Sequence, residues 1–405
     1  VAIAGSDRLF SYFYKLNLGK LKGLMNVFSR FVTFMETQVG GTSLSIENFG
    51  HRYLLAPCRW LFAKIDPLSH VIEGTLFKRI LQVLIFPLFL TLTFIYSMEL
   101  VKYGYTKTTF LGSVLLLLSM GIIFAPLERL IPFSRKWLDD KEWSTDVMVY
   151  FGNSFFERFV SGPLQLAMVA MILNGVSPYF GYEIWPANWH PVAQVFLLLI
   201  VYDFFRYWYH RWMHENEFMW RWHSVHHSSK SLYWFNGNRN HVIEYIVSGL
   251  LWAVPLSFVK APVEIVFVAG IMSNIISRFQ HTNMDLILGP FDYVFSTPKN
   301  HRYHHSKKVE EGNSNYGGDV MFWDLLFGTF YLPKGKQPSD DVGLADLPNY
   351  PQNWFGLMLA PFTYGKIKKE AESTGDGAVI NIGQHEQRPD EVWGQRDVKA
   401  SNRQV

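Results

Sequence analysis

Apolar positions in this chain gather into long runs. A hydrocarbon core about 30 Å thick calls for roughly 20 mostly apolar helical residues, with about 17 as the lower limit. Ile80–Tyr96, Phe110–Leu127 and Phe159–Val176 meet that requirement without a charge, and Pro191–Tyr209 meets it with Asp203 and Arg206 inside. Tyr245–Val259 and Val263–Ile276 are shorter, are split by Lys260-Ala261-Pro262, and include Glu264 in the second; a spanning and a re-entrant hairpin both fit them. The pattern predicts an all-α, integral-membrane helical bundle of four to six apolar helices. Residues 1–79 read as an N-terminal cytoplasmic or interfacial segment, 80–333 as the membrane-embedded domain with its core at 191–333, and 334–405 as a polar C-terminal tail, loosely ordered after Lys369.

Basic residues orient the bundle, because cytoplasmic loops are enriched in Lys and Arg. Arg52, Arg59, Lys64, Lys78 and Arg79 precede the first run, and Arg129, Arg135, Lys136, Lys141 and Arg158 separate the second from the third. The loop Ser177–His190 has neither Lys nor Arg, and Ser97–Thr109 has only Lys102 and Lys107, so both read as external. Alternation then places Arg211–Arg239 and Arg278–Lys308 together on the cytoplasmic side, as a helical cap. A bacterial inner membrane and an endoplasmic reticulum fit this multi-pass arrangement equally.

Composition supports lipid as the solvent: 49% of residues are hydrophobic, 17% are aromatic and 18% are charged, where about 25% charged is usual in soluble domains. A formal net charge of +3 gives no ground for nucleic acid as a partner. Cys58 is the single cysteine, so a metal site here rests on nitrogen and oxygen donors. The first residue is Val1 rather than methionine, which leaves a preceding segment open.

Of 14 histidines, ten lie between His210 and His305, a window that would hold about three by chance. His210 and His214 stand at i and i+4, on one helix face at the end of the fourth run. His223, His226 and His227 stand at i, i+3 and i+4, and His301, His304 and His305 repeat that spacing. Eight imidazoles on three short helical pieces suffice for two metal ions with positions left for O2. Imidazole suits zinc, copper, iron and nickel, so the donors alone do not name the metal. His281 is expected as a further ligand, while His241, Asp285 and Asp203 are each open to a ligand or an outer hydrogen-bonding role. Asp203 shares the face of His210 and His214, deeper in the bundle, with Arg206 as its expected partner. Asp292 and Asp324 read as caps or structural hydrogen-bond partners. No catalytic residue separate from the metal centre stands out. A metal transporter and a zinc-dependent membrane hydrolase use similar donors, but transport sites favour the midplane, and the H-E-x-x-H pattern of the hydrolase is absent.

The boxes Asp203–Glu215 (DFFRYWYHRWMHE), Trp220–Ser228 (WRWHSVHHS), Gln280–Asp285 (QHTNMD) and His301–Ser306 (HRYHHS), with Asn315-Tyr316-Gly317 and Trp323–Thr329, resemble the fatty acid hydroxylase and sterol desaturase superfamily. The resemblance runs from about Asp203 to Pro333. It implies two iron ions held by His210, His214, His223, His226, His227, His281, His301, His304 and His305. It also implies O2 as co-substrate and hydroxylation or desaturation of a lipid. Some relatives carry a histidine pair where this chain has His281 and Asp285, which puts the ligand set of one iron in question. No His-Pro-Gly-Gly segment of cytochrome b5 type is present, so electrons are expected from a separate ferredoxin- or cytochrome b5-type donor.

Overall fold

A computed structural model describes residues 56–102, 121–139, 142–175 and 185–374. The expected N-terminal segment up to residue 55, residues 110–120 of the second apolar run, 103–109 and 177–184 of the two loops read as external, and the tail beyond 374 lie outside the described residues. The chain divides into Val1–Leu61 and Phe62–Val405, and the packing below concerns the second unit.

The described residues are helical, with isolated bridges and no strand. In chain order they form α1 (Ala56–Val71), α2 (Leu76–Val101), α3 (121–130), α4 (Trp143–Phe156), a single π turn (Glu157–Ser161) leading into α5 (Gly162–Gly175), α6 (Pro191–Glu215), α7 (Glu217–His227), α8 (Val242–Val259), α9 (Val263–Gln280), α10 (Pro298–His304) and α11 (Trp354–Thr374). Helices α2, α6 and α9 are long and apolar enough to cross a membrane.

Helix α2 shows what solvent the bundle expects. Its Ile80, Leu84, Leu88, Leu92 and Ile95 recur on one face and are exposed, while Gln82, Thr93 and Ser97 are buried with Phe86 and Leu90. A soluble helix hides its apolar stripe, so this inversion suits a lipid surround. The inner face packs on α3, α6 and α9 through Phe86, Phe124, Leu198, Val268 and Phe279. Phe279 anchors that core, with ring centroids 5.1 Å from Phe86 and 4.7 Å from Phe124.

Helix α6 is the central post: α8 packs on one side of it together with α5, and α9 packs on the other together with α2. The turn between α8 and α9 is made by Lys260 in the left-handed region (φ 51°) and by Pro262, which precedes the first turn of α9.

The polar stretch 334–405 is not a tail throughout. Helix α11 buries Leu357, Ala360 and Tyr364 in a second core with Val149 of α4 and Trp220 and Val225 of α7. These positions recur at helical spacing in the uncharged stretch Trp354–Tyr364, which is short and is followed by a charged half from Lys366, so it is lost in the polar composition of 334–405.

Candidate metal centre

Three local features deliver the histidines to one end of the bundle. Asn216 breaks the helix after α6 and its side chain accepts from Met219 N (3.1 Å), so α7 starts at once and folds box two back on box one. Thr297 caps α10, with Pro298 at its first position, and α10 presents His301 and His304. His281 and His305 are the C-caps of α9 and α10.

The nine histidines form two groups. His210, His214, His223, His227 and His304 make one, His226, His281, His301 and His305 the other, and within each group one donor atom per residue lies within 4.8 Å of every other. All nine are buried.

Outer partners decide which nitrogen faces inward. Nδ1 of His210 donates to Tyr316 O (2.8 Å), Nδ1 of His304 to Ser314 O (2.8 Å), Nδ1 of His226 to Arg239 O (3.2 Å) and Nδ1 of His281 to Asn236 Oδ1 (3.0 Å). Nδ1 of His223 donates to Glu244 Oε1 at 2.8 Å, and Nδ1 of His214 lies 3.3 Å from Asn313 Oδ1. With the proton on Nδ1, each Nε2 turns a lone pair into the group.

Nε2 of His210 is 2.9 Å from Nε2 of His223, and Nε2 of His301 is 2.9 Å from Nε2 of His281. For His210 and His223, whose protons are committed outward, this contact sets lone pair against lone pair. Two ligands at right angles, each about 2.1 Å from a shared cation, stand about 3 Å apart. The donor set therefore fits a pair of cations, and the buried Nε2 atoms of His214 and His304, which have no hydrogen-bond partner, fit the same demand.

Burial, reinforced by neighbouring imidazoles, holds His223, His227, His281, His301 and His305 well below the usual histidine range. Burial lowers His226 to about 3 and His304 to about 4. Neutral imidazoles at pH 7 are ready ligands.

The other sequence candidates stand apart from both groups. His241 caps α8: its Nδ1 accepts from Ile243 N (3.1 Å) and its Nε2 donates to Met358 O (3.1 Å), so neither nitrogen is spare. Asp285 is partly exposed, and its Oδ2 accepts from Gln82 Nε2 (2.7 Å), with Lys78 Nζ at 3.8 Å. Asp203 accepts from the backbone N–H groups of Gly318 (2.8 Å), Asp319 (3.2 Å) and Val320 (3.1 Å). It thereby clamps the loop whose Tyr316 carbonyl holds His210. Arg206, expected to pair with Asp203, acts on it through its charge, while its Nη1 lies 3.6 Å from Asp319 Oδ1. Asp324 helps hold the same loop, accepting from Tyr316 N and Gly317 N, and Asp292 accepts from Thr297.

Sequence reasoning missed Glu244, Asn236, Asn313 and the buried Arg239. Arg239 is bound by Asp146 (2.5 Å) and Glu142 (2.9 Å) while its carbonyl holds His226. Only Glu244 left a signal: it is an acid in the first turn of an otherwise uncharged apolar helix. A small cleft reaches the five-histidine group, where His214, His227 and His304 line it with Trp220, Asn313 and Lys307.

Residues 195–329 match the family model for fatty acid hydroxylase. Over 233 residues the chain is 35% identical to ornithine lipid hydroxylase OlsE of Rhizobium tropici, covering 56% of this chain and 69% of that protein. It is 33% identical over 156 residues to alkylglycerol monooxygenase of Xenopus tropicalis, covering 38% of this chain and 34% of the relative. It is 25% identical over 240 residues to the very-long-chain aldehyde decarbonylase CER1 of Arabidopsis thaliana, covering 48% and 38%. No solved structure matches it. The matched region includes all nine clustered histidines, and by its identity to OlsE over more than two thirds of that protein, the chain belongs to the fatty acid hydroxylase superfamily.

Proposed function

We propose that this chain is a membrane-bound non-haem di-iron oxidoreductase that uses O2 and external electrons to hydroxylate a lipid. The observation that carries the reading is the pair of buried, neutral histidine groups at the end of an apolar bundle. Nine nitrogen donors exceed what a zinc hydrolase needs, and they lie at helix ends rather than at a midplane. The relatives favour hydroxylation over desaturation, since two of them are named as a lipid hydroxylase and an alkylglycerol monooxygenase.

Bound iron would supply the reduction of O2 and the cleavage of a C–H bond. The chain's own part is to hold the donors and to exclude water. Tyr316 O, Ser314 O, Arg239 O, Asn236, Asn313 and Glu244 fix six imidazole rings in one tautomer. The apolar core around Phe86, Phe124 and Phe279 keeps the membrane side dry. The cleft beside Lys307 gives the five-histidine group an aqueous approach, which suits a separate ferredoxin- or cytochrome b5-type donor. Basic residues in the box segments support a cytoplasmic position for this end under the positive-inside rule.

Purified protein should carry two irons per chain and consume O2 only with reductant, and cells expressing it should gain a lipid heavier by one oxygen. One zinc per chain without O2 uptake would overturn the reading. A lipid lighter by two hydrogens would replace hydroxylation by desaturation.

A further inference from the structure

Arg278 is a buried cation with no counter-ion among the described residues. It lies in the last turn of α9 and is 6% exposed. Its Nε donates to Asn274 Oδ1 (3.1 Å), while its Nη1 is buried without any hydrogen-bond partner. The ionisable groups acting on it are two phenols, those of Tyr150 in α4 and Tyr245 in α8, and no carboxylate. The Tyr150 ring centroid lies 6.0 Å from its Cζ. An unpaired guanidinium taken out of water costs several kcal/mol unless something anionic meets it.

Its position says what that something does. Arg278 and His281 are three residues apart, about 4.5 Å along the axis and on neighbouring faces. His281 belongs to the four-histidine group. The guanidinium leans back towards Asn274, which is exposed on α9. Helices α8 and α9 each pack on α6. Arg278 of α9, Tyr245 of α8 and Tyr150 of α4 lie within electrostatic reach of one another, near the end of a helix long enough to span the bilayer.

We propose that Arg278 is the anchoring residue for an oxyanion of the amphiphile that the enzyme oxidises, received beside Tyr150 and Tyr245. The oxyanion is a carboxylate or a phosphate, bound by the Nη1 hydrogens left without a partner. Anchoring there sets the oxidised carbon near the polar end of the lipid, because the guanidinium, drawn back to Asn274, lies about two helical turns, or about 10 Å, from His281 along α9. This deepens the lipid-hydroxylase reading and rests on it for the identity of the ligand as substrate.

The test uses full-length, detergent-solubilised, metal-free protein, so that binding is read apart from oxidation. Oleate, 1-oleoyl lysophosphatidate and neutral monoolein are titrated, and the bound probe is counted by native mass spectrometry. The wild type should bind one or both acidic probes at least tenfold more tightly than monoolein. Preference for oleate assigns a carboxylate, and preference for lysophosphatidate a phosphate. Arg278→Met and the better-tolerated Arg278→Gln should abolish the preference without weakening monoolein, and Arg278→Lys should keep most of it. A wild type that binds all three probes alike, or a preference that survives Arg278→Gln, overturns the proposal. Iron content and O2 uptake are measured on separate, metal-loaded wild type, so failure of the oxidase reading appears there and not in the binding data.

Discussion

Replacing Glu244 with glutamine should loosen one metal position and leave the other alone. The Glu244 carboxylate meets His223 Nδ1 at 2.8 Å, with side chains only 5% and 4% exposed, so water does not compete for the contact. Losing such a partner behind a ligating imidazole typically costs 10–100-fold in metal affinity, or about 1.4–2.8 kcal/mol. Stability of the metal-free fold should move the other way or not at all. Glu244 Oε2 is buried without a partner, and a neutral isostere relieves that burial. The assay titrates a chelator against metal-loaded protein and follows release per chain, with the melting temperature of the metal-free form measured in parallel. Among the described residues Glu244 contacts no member of the four-histidine group, which serves as the internal control. Release from both positions at the chelator concentration that strips the wild type would refute the argument, and so would a metal-free form that melts lower in proportion to the metal it loses.

Four other outcomes follow from the same geometry. His214→Ala and His301→Ala should each abolish lipid oxidation and lower bound metal from two ions towards one, as measured by elemental analysis; full occupancy with full activity would separate these histidines from the centre. His241→Ala should cost about 1 kcal/mol of stability through the lost cap of α8, seen in thermal melts, with metal content unchanged. Gly237→Ala should disturb only the four-histidine group, because the new Cβ would lie 3.3 Å from His281 Cδ2; selective loss of one ion in the chelator titration is the readout. The metal-free protein should lose stability as pH falls through 6.5. Folded His226 and His304 hold out to about 3 and about 4, while the unfolded imidazoles protonate near 6.5, so each contributes a loss of up to about 1.4 kcal/mol per pH unit. Melts between pH 7.5 and 5.5 should show that slope without metal and a flatter one with it.

The class of fold was legible because lipid-facing runs such as Ile80–Tyr96 carry their signal in every residue. The chemistry was legible because imidazoles at i, i+3 and i+4 are rare by accident. What holds those imidazoles was not. Tyr316, Ser314 and Arg239 act through backbone carbonyls, which have no side-chain signature, and they lie 106, 10 and 13 residues along the chain from the histidines they fix. His241 stayed open between ligand and outer partner because a histidine cap and a histidine ligand look alike in sequence; Met358 O and Ile243 N on its two nitrogens tell them apart. Asp203 and Arg206 at i and i+3 looked like a pair, but the hydrogen bonds of Asp203 go to three backbone amides of a loop 115 residues away, which no local spacing signals.

The division of the histidines follows from helix geometry alone. Residues four apart on a helix differ by about 40° in direction, while the residue at i+3 lies about 60° to the other side of i and about 100° from i+4. In each of the three boxes the i, i+4 pair shares a group: His210 with His214, His223 with His227, His301 with His305. In both H-x2-HH boxes the i+3 residue goes to the opposite group, His226 to the four and His304 to the five. Helices α7 and α10 thus each reach both positions and cross-link them, so neither position can shift without turning a helix that also serves the other. His281 makes up the fourth donor where the first box gives none, which is why one group has five members and the other four. A shared scaffold of this kind would hold two cations at a fixed separation, which the proposed joint reduction of one O2 requires. A centre built from two independent helix pairs would leave that separation free to vary.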